Sequence, residues 1–168
     1  VRRVDETVTG LPHLQAHAPA SRPFDAAAFA AIEETELRWL GMAGFLVNAR
    51  GTTIMIDPLL GDFDMPVLID FPIAPEQVPH LDAVLVTHSD NDHFSVPTCR
   101  RLAPVTGEYH STRYVDGLMR AEGLPSVGHD IGDRFRVGEI EVQVTPADHA
   151  WQNESPAPRI ARSCASIR

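Results

Sequence analysis

Six consecutive residues, His88-Ser-Asp-Asn-Asp-His93, hold two imidazoles and two carboxylates. They follow Ala83-Val-Leu-Val-Thr87, an apolar run without polar alternation, which predicts a strand covered on both faces. In a loop leaving such a strand, side chains at alternate positions, His88, Asp90 and Asp92, can converge with His93 on one cavity. A divalent cation accounts for the set. Without one, Asp90 and Asp92 repel each other in a partly desolvated loop, and a bound cation reverses that repulsion. The plainer alternative, an Asx-turn loop with capping aspartates, accounts for one Asp rather than for four groups. The chemistry such a cluster supports is hydrolysis: a bound ion lowers the pKa of water toward neutrality and polarises an ester, lactone, phosphoester or amide.

The elements that must position this loop follow from the patterning on either side. Upstream, Leu37-Arg-Trp-Leu, Gly44-Phe-Leu-Val-Asn and Thr52-Thr-Ile-Met-Ile-Asp57 are apolar and β-branched runs broken by glycines, which predicts a β-meander. A capped, Ala-rich helix is expected from Ala26 to Glu36, although its glutamates sit at the unfavourable end of the helix dipole. Five prolines between Pro58 and Pro79 exclude a long helix there and predict a loop. Downstream, helices are expected over Val96 to Leu102, with Pro97 in its first turn, and over Ser111 to Glu122, with Ser111 as cap. A short strand near Val105 to Tyr109 separates them. A hairpin then runs Arg134-Phe-Arg-Val, Gly138, Glu139-Ile-Glu-Val-Gln-Val-Thr145, with His149 beyond its second strand.

Strand, Thr-His-x-x-x-Asp-His, then helix resembles the His-x-His-x-Asp-His signature of the metallo-β-lactamase superfamily. Leu40-Gly-Met-Ala-Gly-Phe-Leu-Val, Thr53-Ile-Met-Ile-Asp57-Pro58 and Val144-Thr-Pro-Ala-Asp-His149 are similar to the opening strands, Asp-Pro turn and third-histidine strand of the branch that includes L-ascorbate-6-phosphate lactonase. The resemblance runs from about Leu37 to Trp151. It implies an α/β (α+β) fold, the N-terminal half of an αββα sandwich with a mixed sheet and helices on one face. It also implies a metal-dependent hydrolase of a small-molecule substrate. His88 and His149 would hold one metal and Asp92 and His93 a second, with Asp92 also orienting the attacking water. Two readings stay open for Asp57: a second-layer residue hydrogen-bonded to a ligating imidazole, or a turn-forming Asp before proline.

Two departures bear on the site. Asp90 stands where the pattern has its second histidine. As a harder, anionic ligand it shifts preference from zinc toward manganese, iron or magnesium, so one or two divalent ions are expected with zinc or manganese first and iron next. Asp90 can also turn away, leaving a single metal. Beyond His149 the chain holds neither Asp nor His, where the family places a bridging carboxylate and a last histidine. Glu154 and Cys164 are available as substitutes but lack supporting neighbours. A truncated chain is therefore expected, with its second sheet and outer helices missing and one apolar sheet face open. That predicts marginal stability or association as a homo-oligomer. The rival to hydrolysis is a catalytically incompetent fragment that serves as a metal-binding or interaction module.

The remaining features bound the setting. The chain has 168 residues, with 43% hydrophobic and 22% charged, the proportions of one ordinary globular domain. Residues 1–23 read as a flexible arm, 24–155 as the partial domain and 156–168 as an irregular tail. No signal peptide or membrane span is visible, which points to the cytoplasm. A net charge of −9 argues against a nucleic-acid partner. Cys99 and Cys164 have no metal-type spacing and read as bystanders. His13, His17, His80 and His129 read as surface residues, His129 within a turn. His110 is a surface residue or faces the cleft, and Trp151 and Gln152 line a pocket or pack.

Overall fold

The computed structural model describes residues 20–147 and the backbone of residues 164–167. The predicted meander is present as β1 (Thr35–Gly41), β2 (Gly44–Ala49) and β3 (Thr52–Ile56). Arg50 and Gly51 both have positive φ, 56° and 94°, as a two-residue hairpin turn between β2 and β3 requires. From β3 the sheet continues in parallel through β4 (Leu81–Val86), β5 (Thr106–Thr112) and β6 (Val127–His129), in the order β1-β2-β3-β4-β5-β6. The β4–β5 and β5–β6 crossovers carry α1 (Val96–Leu102) and α2 (Arg113–Ala121), and the β3–β4 crossover a single 3-10 turn, Pro75–Gln77. The chain is thus a mixed α/β structure around a mixed sheet.

Both helices lie on one face. Cys99 and Leu102 of α1 and Val115 and Met119 of α2 pack with Leu46, Met55, Val84, Val86 and Tyr109 of the sheet. Leu81 and the apolar residues Ala83–Val86 of β4 are all buried, as its unbroken apolar run predicts. Ser95 caps α1 by accepting from the Thr98 amide. Thr112 rather than Ser111 caps α2, accepting from Val115 at 3.5 Å.

The opposite face differs from expectation. It is covered by a second sheet, β7 (Arg134–Val137), β8 (Ile140–Thr145) and β9 (Cys164–Ile167), all antiparallel. Val137, Ile140 and Val142 pack on Val47, Ile54, Ala83 and Leu85 in a separate apolar layer. The hairpin turn meets the first sheet closely: the Glu139 amide donates to Thr52 Oγ1 at 3.1 Å, and a Cβ added at Gly138 would lie 2.3 Å from that oxygen. Gly138 also has φ of 52°, so the contact needs glycine on both counts. The strict alternation of β8 (Ile140, Val142, Val144 inward) supplies the apolar face that an open sheet needs.

The helix expected from Ala26 to Glu36 is shortened to a single 3-10 turn, Ala26–Phe29, capped by Asp25. Asn48 Nδ2 donates to the carbonyls of Ala28 and Ala30 at 3.0 and 2.8 Å, fixing the segment to β2, and Thr35 onward pairs with β2 instead. A few tenths of a kcal/mol of helix propensity per residue do not compete with sheet pairing and burial. The end of the expected arm is tied down: Phe24 donates its amide to the Pro72 carbonyl, and Ser21 bonds the Asp70 carbonyl. Among the described residues no helix is long and apolar enough to cross a membrane.

Cys99 is fully buried on the sheet-facing side of α1 as a free thiol, and burial, reinforced by the negative charge of Asp57, pushes its pKa up to about 12. At pH 8 such a thiol is roughly one part in ten thousand thiolate. In a Cys164→Ser background, Cys99 should therefore resist Ellman's reagent in the native chain and react fully once denaturant is added. Stoichiometric labelling within seconds without denaturant would show that α1 does not seal it.

Candidate metal centre

The candidate site lies at the carboxyl ends of β3 and β4, adjacent strands in the parallel part of the sheet. β3 runs into Asp57, which adopts a positive φ of 44° while its amide donates to the Leu85 carbonyl at 2.9 Å. This left-handed turn before Pro58 drives the Asp57 carboxylate under the end of β4, where it is 3% exposed. Its Oδ1 accepts the Thr87 amide at 2.7 Å, and its Oδ2 accepts the Thr87 hydroxyl at 2.6 Å. Oδ2 also lies 2.7 Å from His93 Nδ1. Three short contacts to one buried carboxylate join the turn, the strand end and the far end of the loop.

The loop itself is pinned at both ends. Thr87 holds its start to Asp57. At its finish the amides of His93 and Phe94 return to the Asp90 carbonyl at 2.9 and 2.6 Å, and the Phe94 ring enters the helix-side core. The curl brings the His88 and His93 rings to 3.9 Å between centroids, tilted by 47°. His88 Nε2 then lies 3.3 Å from Asp90 Oδ2, and His93 Nε2 lies 3.7 Å from Asp92 Oδ2. Asp57, His88 and His93 offer donor atoms within 4.8 Å of one another.

These spacings fit a divalent ion. Two ligands bonded at about 2.0–2.1 Å with a near-tetrahedral angle stand roughly 3.3–3.4 Å apart. His88 with Asp90, and His93 with Asp92, are each near that separation, so the loop presents two imidazole–carboxylate pairs. Protonated imidazoles would make the same contacts as ion pairs. Asp57 is placed differently: both its oxygens are occupied by donors, so it is positioned to orient His93 rather than to ligate. For His93, burial opposes the charged form, but the hydrogen bond and charge of Asp57, with Asp92 and Asp90 nearby, outweigh it and raise the pKa.

Of the residues singled out from sequence, the structure thus brings together Asp57, His88, Asp90, Asp92 and His93. His149, Trp151, Gln152 and Glu154 lie outside the described residues, as do His13 and His17. Thr87 is an addition that sequence reasoning does not supply. The signal available is a hydroxyl residue placed directly before the first histidine at the end of a buried strand.

His110 is buried on the inter-sheet side of β5, not in the loop cluster. Its Nδ1 is 3.0 Å from His129 Nε2, its Nε2 is 3.0 Å from Glu108 Oε2, and its ring stacks on Phe135 at 4.3 Å. His129 belongs to strand β6 rather than a turn, and its ring also stacks on Phe135. Burial, then the neighbouring His110, lowers its pKa. His80, beside Asp82, is exposed as expected.

Comparison with known proteins places the chain among metal-dependent hydrolases in sequence and fold. A UPF0173 metal-dependent hydrolase from Caldivirga maquilingensis is 32% identical over 132 residues, covering 76% of this chain and 54% of that protein. The chain spans about half the length of the curated relatives it matches. Among solved structures, CmlA, a diiron β-hydroxylase from Streptomyces venezuelae, is similar over 82% of this chain and 28% of its own, with 25% identity and a TM-score of 0.62. A possible metal-dependent hydrolase from Veillonella parvula matches 82% of this chain and 58% of its own at 18% identity, with a TM-score of 0.61, a likeness of fold. The model of the β-lactamase superfamily domain matches residues 36–162, and the chain belongs to that family, with the metallo-β-lactamase fold.

Proposed function

We propose that this chain carries the metal-holding part of a metal-dependent hydrolase acting on an ester, lactone or phosphoester of a small molecule. The observation that carries it is the pair of imidazole–carboxylate contacts in one loop, braced from below by Asp57. His88, Asp90 and His149 would hold one divalent ion, and Asp92 and His93 a second. Such ions supply Lewis acidity and a nucleophilic water at neutral pH. Asp92 has the most exposed side chain of the four loop residues, at 35%, which suits it to accept a proton from the attacking water and aim its lone pair at the substrate. Asp57 and Thr87 keep the imidazoles oriented, and Phe94 and Thr87 hold the loop ends still, so little reorganisation remains for the reacting geometry.

Asp90 in place of an imidazole favours manganese or iron relative to an all-nitrogen site, with zinc also accommodated. The similarity to CmlA, a diiron β-hydroxylase, supports testing iron alongside the others. The net charge of −9 disfavours nucleic-acid substrates.

Purified chain supplied separately with manganese, zinc and iron(II) should turn over at least one member of a lactone, ester and phosphodiester panel. Asp92→Asn should lower kcat by about two to four orders of magnitude, the usual worth of a positioned base. Metal binding with no turnover on any member would instead support a metal-binding module without catalysis.

A further inference from the structure

The described residues contain a hydrogen-bond chain whose protons follow from its distances and from the donor and acceptor capacity of each group with Asp57 ionised. Asp57 Oδ2 and Thr87 Oγ1 are 2.6 Å apart, and Thr87 Oγ1 is 3.0 Å from His88 Nδ1. Two oxygens at 2.6 Å need a hydrogen between them. Asp57 is an acceptor when ionised, and it already faces the Thr87 amide and His93 Nδ1, so that hydrogen is the threonine's own. A hydroxyl has only one proton to give. Having given it to Asp57, Thr87 Oγ1 can only accept from His88, which puts a proton on His88 Nδ1. The reverse arrangement, in which Thr87 donates to His88, leaves two oxygen lone pairs opposed at 2.6 Å in a buried pocket, Thr87 being 8% exposed and Asp57 3%.

We propose that Thr87 is a positioning residue that passes the orienting hydrogen bond of Asp57 on to His88, so that one buried carboxylate sets the tautomer of both imidazoles. His93 receives it directly through Nδ1 and His88 through the threonine hydroxyl. In both rings a proton sits on Nδ1, so in the neutral imidazole Nε2, the atom facing Asp90 in one case and Asp92 in the other, carries the lone pair that a cation needs. The arrangement depends on topology. Asp57 ends β3 and Thr87 follows β4, neighbours in the parallel sheet, so a contact across 30 residues of sequence is local in space. This inference rests on the metal-holding role proposed for the two Nε2 atoms, but the tautomer it assigns does not.

The test has two arms. In the metal-free chain at pH 8, long-range 1H–15N correlation spectra should show His88 as the Nδ1–H tautomer, with the resonance assigned by its loss in His88→Asn. Thr87→Val keeps the side-chain shape and removes the hydroxyl; His88 should then move its proton to Nε2, where Asp90 can accept it. Thr87→Ser should restore Nδ1–H. In the second arm, cobalt(II) titrations followed by absorbance should show about 10- to 100-fold weaker binding in Thr87→Val and within about threefold of the parent in Thr87→Ser. A neutral His88 protonated on Nε2 in the parent chain overturns the proposal, even if Thr87→Val fails to fold. So does an unchanged tautomer in a folded Thr87→Val. If the parent binds no cobalt while the tautomers behave as described, the metal-holding reading fails and the relay stands.

Discussion

Replacing Asp57 by asparagine should cost the fold about 2–4 kcal/mol, although the two side chains are nearly the same size. Asp57 accepts from the Thr87 amide, the Thr87 hydroxyl and His93 Nδ1, all in a pocket where its side chain is 4% exposed. An amide keeps one acceptor oxygen; with that oxygen on the Thr87 amide, its N–H groups face the Thr87 hydroxyl and His93 Nδ1, which can accept only by giving up the orientation they hold toward the carboxylate, and the charge assistance of both contacts is lost. The backbone is not the cause: φ at Asp57 is 44°, a conformation that asparagine tolerates better than most residues. For a chain of this size the loss corresponds to a fall in melting temperature of roughly 6–12 °C, read by calorimetry on metal-free protein. A change below about 1 kcal/mol would mean that the three contacts are not formed together.

Leu85→Ala should destabilise the chain by about 3 kcal/mol, seen as a lower denaturant midpoint at unchanged slope. Leu85 is 1% exposed and lies in the layer between the sheets with Val137, Ile140 and Val142. This substitution separates the two pictures of the sheet's far face. With the β7–β8 hairpin docked, truncation leaves a cavity. If that face were open, as the expected truncation implies, the leucine would be largely hydrated and its loss would cost about 0.5 kcal/mol or less.

Legibility in the sequence follows the range of the interactions. α1 spans Val96–Leu102, the limits its proline and apolar spacing predict, because cap and helix are set within a few residues. β4 is legible because an unbroken apolar run has few alternatives. β6 is not: three residues, Val127–His129, form a strand only because β5 offers them an edge. Thr35 and Glu36 read as part of a helix for the same reason, since their partner is β2 and not their own helical turn. In the site, the cluster of ligand-type side chains is visible as composition, whereas the bracing is not. Asp57 meets His93 across 36 residues and Thr87 across 30, distances that no local pattern records. The second sheet escapes sequence reasoning because its apolar alternation is legible but its docking partner is not; Gly138 against Thr52 is a contact between residues 86 positions apart.

The central claim is that the loop His88 to His93, braced by Asp57, holds a divalent ion. The most direct test is the metal content of the full 168-residue chain by inductively coupled plasma mass spectrometry, after loading with manganese, zinc or iron(II) and removal of free ion. The parent should retain roughly one to two equivalents of a preferred ion, while His88→Ala and Asp92→Ala fall toward background with unchanged circular dichroism. Equal metal in all three proteins would contradict it.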